Sequence, residues 1–250
     1  MSNGRFSSER ILSKLDEYLN KNDYSSAERH LKYWLTEAEQ SGDHRTELLI
    51  MNELMGLMRK LGRRDEALDC VDRALSKIEK LGIGDQVGAA TTFLNSATVC
   101  KAFGMADRSI PLFEKAKRIY ESKLEKDDGR LGGLYNNMAL SLSDLSRFSE
   151  AKELFDKAIE IMNSNGSYLE VAITLLNLAT MTENELGLEN ACERIEDYLS
   201  EAKELLDSWE KRNGYYAFVC DKCASVYGYY GHFAYENELK ERVRSIYERT

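Results

Sequence analysis

A short phrase recurs six times along this chain, and that recurrence restricts the fold more than any other feature. "SRFSEA" at 146–151 has close counterparts in "NDYSSA" at 22–27, "GRRDEA" at 62–67 and "GMADRS" at 104–109. Looser copies are "LGLENA" at 186–191 and "GHFAYE" at 231–236. The opening residues, expected to turn the chain, are Asn22, Gly62, Gly104, Ser146, Leu186 and Gly231, spaced by 40, 42, 42, 40 and 45 residues. Near-equal units that fill a chain in this way mark an array in which each unit buries its apolar face against its neighbours.

Each unit has the same internal grammar. Ahead of the phrase stands Leu15, Met55, Ala97, Ala139, Ala179 or Ala224, and behind it Trp34, Ala74, Ala116, Ala158, Tyr198 or Val243. Small residues at most of these points let two helices approach closely. Tyr135, Met138, Ala139 and Leu142 follow the i, i+3, i+4, i+7 spacing of one buried helical stripe, which Phe155, Ala158 and Ile159 continue on a second helix. A unit is therefore expected to be a helix, a tight turn and an antiparallel helix. "LGIGD" at 81–85, "KDDGR" at 126–130, "NSNGS" at 163–167 and "KRNG" at 211–214 separate the units, with Gly and Asn expected as helix C-caps. Pro111 is expected in the first turn of a second helix, where a missing amide costs least.

Composition agrees with an all-helical array. The 250 residues are 43% hydrophobic and 31% charged, with one proline and no sustained β-branched alternation. A net charge of −9 and a pI near 5.1 argue against nucleic acid or an anionic membrane as partner, since phosphate contacts need clustered Lys and Arg. No segment approaches the roughly 18 apolar residues of a bilayer span, and "MSNGRFSSERIL" lacks the apolar core of a signal peptide. The expectation is a soluble cytoplasmic protein. Cys70, Cys100, Cys192, Cys220 and Cys223 are odd in number and scattered, as small buried hydrophobes in a reducing compartment are.

These residues resemble the tetratricopeptide repeat. In "NNMALSLSDLSRFSEAKELFDKAIEI" at 136–161, Ala139, Ser146, Ala151 and Ala158 match the family's small residue of the first helix, its turn residue and its two alanines of the second helix. The family repeat is about 34 residues long, and its proline near the end of the second helix is replaced here by Glu39, Glu79, Glu121, Asn163, Lys203 and Glu248. Second helices without that stop can run on, and the longer period is similar to the kinesin-light-chain type, without its His-Pro linker. The resemblance implies an all-α, right-handed superhelical solenoid of about six antiparallel helix pairs forming one domain. Its units would span 7–42, 46–82, 86–127, 130–165, 168–211 and 214–250.

First helices line the inner surface of such a stack. With the stripe through Met138 assigned to the core, Asn136, Asn137, Leu140 and Asp144 are left for the groove. The position of Asn137 is held by Ser13, Glu53, Asn95, Asn137, Asn177 and Lys222, and the preceding one by Leu12, Asn52, Leu94, Asn136, Leu176 and Asp221. Asn95, Asn137 and Asn177 would then form a carboxamide ladder that grips a peptide backbone, with Asn52, Asn136, Asn184 and Lys222 assisting. Equally open at this point is a structural role in which the asparagines bridge adjacent repeats. A chaperone-tail clamp, which in this family uses two lysines and an arginine beside its asparagines, does not fit a face carrying Glu53, Asp144 and only Lys60 and Lys222. The expected partner is a protein or peptide segment other than an acidic chaperone tail, with no nucleic acid, membrane, cofactor or metal; self-association is left open.

Two other clusters were weighed. "CDKC" at 220–223 has the C-x-x-C form, but both cysteines fall on core positions and only His232 lies near as a third ligand. The aromatic run at 215–235 reads as a terminal cap or as an exposed contact patch. The three histidines lie apart from any nucleophile, and no phosphate-binding Gly-rich loop is present. The function expected is a noncatalytic scaffold or adaptor. Its alternatives are a cytoplasmic peptide-sensing receptor acting through a partner, and a metal-dependent protein using Cys220, Cys223 and His232.

Overall fold

The computed structural model describes residues 7–248, which form helices and short connections with no strand among them. It contains two compact units, one ending at Lys123 and one beginning at Leu124. The first holds α1 (Ser8–Asn20), α2 (Tyr24–Ser41), α3 (His44–Lys60), α4 (Arg64–Leu81), α5 (Val87–Ala102) and α6 (Ala106–Lys123). The second holds α7 (Gly129–Asp144), α8 (Phe148–Ser164), α9 (Tyr168–Leu186), α10 (Leu188–Ser208), α11 (Gly214–Tyr229) and α12 (Phe233–Tyr247). The architecture is all-α and built from consecutive helix pairs.

The recurring phrase is a turn with a fixed hydrogen-bond pattern. Asn22, Gly62, Gly104, Ser146 and Gly231 all have positive φ, between 53° and 86°. The next residue in each case donates its N–H to the carbonyl five residues back: Asp23 to Tyr18, Arg63 to Met58, Met105 to Cys100, Arg147 to Leu142 and His232 to Tyr227, each at 2.9 Å. This is the Schellman closure, which satisfies orphan carbonyls of the first helix and reverses the chain. The fifth phrase departs from expectation. Leucine is a poor occupant of positive φ, so α9 continues through Leu186 and the turn falls on Gly187, at φ 76° and ψ 153°. That backbone is open essentially to glycine alone, and α10 starts at the very next residue.

Small residues close each pair. Ala27, Ala67, Ser109, Ala151 and Ala191 are completely buried, as are Ala97, Ala139 and Ala179 on the facing first helices. Leu15 and Met55 occupy the equivalent points in the first two pairs and are 2% and 0% exposed, so larger side chains are packed there without loss of burial. In the last pair Glu236 stands where the others have a small residue, and Gly228 makes room for it. A Cβ on Gly228 would meet the Glu236 carboxylate.

Two connections differ from the expected caps, and so does the place of the proline. Gly82 and Gly166 do follow helices in the left-handed conformation, but Gly129 and Gly214 open α7 and α11. There the preceding Asp128 and Asn213 act as N-caps, accepting from the amides of Arg130 and Tyr216 at 3.0 Å. Pro111 lies in the second turn of α6, because that helix already begins at Ala106. One backbone hydrogen bond is therefore missing inside the helix, not before it.

Candidate functional site

Asn52, Asn95, Asn136, Asn137 and Asn177 on the first helices are half-buried, and four of them are joined in pairs by a motif that occurs once in each unit. In the first unit α3 packs against α5. Asn52 Nδ2 donates to the Leu48 carbonyl and to Thr92 Oγ1, both at 3.0 Å, and Asn95 Nδ2 donates to Asn52 Oδ1 at 3.1 Å. Because a backbone carbonyl can only accept, Leu48 sets which end of the Asn52 amide faces α5. That in turn obliges Asn95 to present its nitrogen. The second unit repeats the arrangement between α7 and α9: Asn177 Nδ2 donates to Asn136 Oδ1 at 3.0 Å, and Thr174 Oγ1 contacts the same oxygen at 3.2 Å.

Four of the seven expected site residues thus bridge adjacent repeats. Asn137 makes no such bridge among the described residues. Its Nδ2 turns instead to the Gly133 carbonyl in its own helix, at 2.8 Å. The common result is that Asn95, Asn137 and Asn177 each have the amide nitrogen anchored, while Oδ1 makes no hydrogen bond among the described residues. None of these oxygens is a sealed, unsatisfied atom, so water or a ligand can reach them. Asn184 and Lys222 are exposed, and the Lys222 ammonium lies 5.3 Å from the centre of the Phe218 ring.

Tyrosine to carboxylate contacts, not amides, join α11 to α9. Tyr215 donates to Glu170 at 2.7 Å, while Tyr229 and Tyr230 donate to the two oxygens of Glu183 at 2.8 Å each. The carboxylate at Glu183 raises the Tyr229 hydroxyl pKa, and burial followed by the same carboxylate raises that of Tyr230. The aromatic run therefore divides. Tyr216, Tyr227 and Tyr235 belong to the core, whereas Tyr215, Phe218, Tyr229 and Phe233 are 46%, 42%, 71% and 64% exposed.

Sequence models of the tetratricopeptide repeat match residues 46–122 and 132–163. The chain carries tetratricopeptide repeats. The matched segments contain three of the five Schellman turns and both members of the Asn52–Asn95 pair. Solved structures of similar fold include BtubC (BKLC) from P. vanneervenii, with a TM-score of 0.67 and 18% identity over 81% of this chain and 82% of that one. Another is a Podosopora anserina protein described as a kinesin light chain with nearly identical TPR-like repeats, with a TM-score of 0.56 and 17% identity over 81% and 95%. A Rap protein complexed with Competence and Sporulation Factor has a TM-score of 0.64 and 14% identity; 96% of this chain is covered and 63% of that one. No curated protein matches the chain in sequence. These neighbours share the helical-repeat fold of this chain.

Within α11, Cys220 and Cys223 are 0% and 1% exposed. Burial pushes their thiols up to about 11 and about 12, so neither is poised as a thiolate. His232 is engaged by Glu196 at 3.1 Å, and no group of three or more potential ligands converges among the described residues. No described helix is long and apolar enough to cross a membrane.

Several residues of this face were not singled out from sequence. Thr92 and Thr174 stand three residues before Asn95 and Asn177, and the pattern Thr-x-x-Asn is visible in both repeats. Glu170, Glu183 and Arg59 are ordinary helix-surface types, and only their neighbours in space distinguish them.

Proposed function

We propose that this tetratricopeptide-repeat chain is a noncatalytic binding module that holds an extended protein or peptide segment against its first helices. The observation that carries this reading is the shared state of Asn95, Asn137 and Asn177, each held through nitrogen and offering a carbonyl oxygen. Each such acceptor suits a backbone N–H group of an extended segment, whose own hydrogen bonds are otherwise left to water. Anchoring lowers the entropy lost when the amides engage a ligand. The Rap protein of similar fold is held in complex with a separate factor, which favours binding over catalysis but identifies no partner for this chain. An acidic chaperone tail is disfavoured by Glu53 on a first helix of one unit and Asp144 on a first helix of the other.

Selection of displayed 12-residue peptides on the whole chain tests this. Enriched peptides are expected to bind at least about tenfold more weakly to Asn137→Ala or Asn95→Ala, a loss of about 1.4 kcal/mol, with the melting temperature of Asn137→Ala nearly unchanged. Enriched peptides that bind both alanine variants as well as the parent would overturn it.

A further inference from the structure

We propose that the cavity between α3 and α5 of the first unit receives a segment carrying a positive group and a carboxylate about three residues apart. The positive group would meet Glu53, and the carboxylate would meet Arg59. This deepens the reading above and rests on it.

The cavity has a volume of about 230 Å³ and is lined by Asn52, Glu53, Gly56, Arg59, Asn95 and Thr98 among others. Elsewhere the first unit pairs the charges it buries. Glu47 on α3, only 3% exposed, meets Lys77 at 2.7 Å, and Glu28 is held between Arg63 and Lys32. Glu53 and Arg59 differ, because neither makes an ion pair or side-chain hydrogen bond among the described residues, with each other or with anything else. Glu53 is half-buried in the cavity wall, and Arg59 lines the same cavity at its exposed rim. Burial, and then the nearby Asp16 carboxylate, push the Glu53 carboxyl pKa up, and desolvation lowers that of the Arg59 guanidinium. Uncompensated charge beside a partly dry wall is unfavourable in the free protein, and a ligand of opposite charges relieves it at both ends.

Gly56 supplies the second observation. It lies inside α3, has no positive φ, and a Cβ built on it would meet nothing within 4 Å. Neither backbone conformation nor internal packing requires glycine there, and glycine within a helix is worse than alanine by about 1 kcal/mol. Open space above a glycine on a cavity wall is what a closely approaching ligand backbone uses. The six residues from Glu53 to Arg59 rise about 9 Å along the helix, which an extended chain covers in about three residues. Asn95 Oδ1, free and on the same wall, is placed to accept one of the N–H groups between.

The test uses the full chain, isotopically labelled, titrated with acetyl-GKGGEG-amide and acetyl-GEGGKG-amide and, as control, acetyl-GSGGSG-amide. One charged peptide is expected to shift the Gly56 amide and the Asn95 side-chain resonances, at least about tenfold more tightly than the serine peptide. Glu53→Gln and Arg59→Gln should each remove most of that advantage. Gly56→Ala should raise the melting temperature while weakening the charged peptide, a combination that a merely structural glycine would not give. If the serine peptide binds equally and only Asn95→Ala weakens it, the charge assignment falls while the first-helix binding face survives. If no peptide perturbs Gly56, the cavity proposal falls by itself, since selection of displayed peptides judges the wider reading independently.

Discussion

Asn177 on α9 gives its amide nitrogen to Asn136 on α7 at 3.0 Å, as Asn95 on α5 does to Asn52 on α3 at 3.1 Å. A single amide thus joins two repeats and leaves a carbonyl oxygen facing outward. Asn136 should be the structural member of its pair, because its Oδ1 takes both Asn177 and Thr174. Asn136→Ala is expected to destabilise the protein by about 1 kcal/mol, and Asn177→Ala by less, since only one contact to Asn136 is lost. Urea unfolding of the two variants measures the order; equal or reversed costs would reassign the roles.

Acid should loosen the first unit through Glu28. Arg63 and Lys32 hold its carboxyl at about 2, against an ordinary value of 4.5. A depressed carboxylate stabilises the fold above its unfolded pKa, and that contribution disappears as the pH falls from about 4.5 towards about 2. Melting temperatures between pH 6 and pH 2 should fall less steeply for Glu28→Gln than for the parent. Parallel curves would show that Glu28 carries none of the acid response.

Thiol chemistry should be confined to one position. Cys192 is exposed, whereas Cys70, Cys100, Cys220 and Cys223 are buried with raised pKa values. A disulfide reagent at pH 8 is expected to titrate one thiol rapidly and the remaining four only on unfolding. Rapid labelling in a Cys192→Ser variant would contradict the burial of the other thiols.

The two kinds of turn should respond unequally to substitution. Gly62 adopts the left-handed conformation that Asn22 adopts in the first repeat, so Gly62→Asn should cost only a few tenths of a kcal/mol. Gly187, at φ 76° and ψ 153°, has no asparagine counterpart, and Gly187→Ala should cost about 1–3 kcal/mol. Chemical denaturation of the two variants distinguishes them.

What the sequence determined by itself is the repeat. The period, the turn residues Asn22, Gly62, Gly104, Ser146 and Gly231, and the buried alanines from Ala27 to Ala191 all follow from short-range chemistry. Positive φ selects glycine or a small polar residue, and close helix contact selects a small one. The same local logic misplaced the turn at Leu186, because a glycine stood one residue further on, and it put Pro111 too early by not locating the start of α6. The first-helix face was legible only as residue types. Whether an asparagine meets a ligand or a neighbouring repeat depends on the residue some 40 positions away, and only packing brings the two together. Tertiary structure alone decided that Asn52 and Asn136 are used up as acceptors while Asn95, Asn137 and Asn177 retain an oxygen. It alone left Glu53 and Arg59 without partners, because a charge is paired or unpaired by what stands within a few ångströms of it, and no helical period encodes that distance.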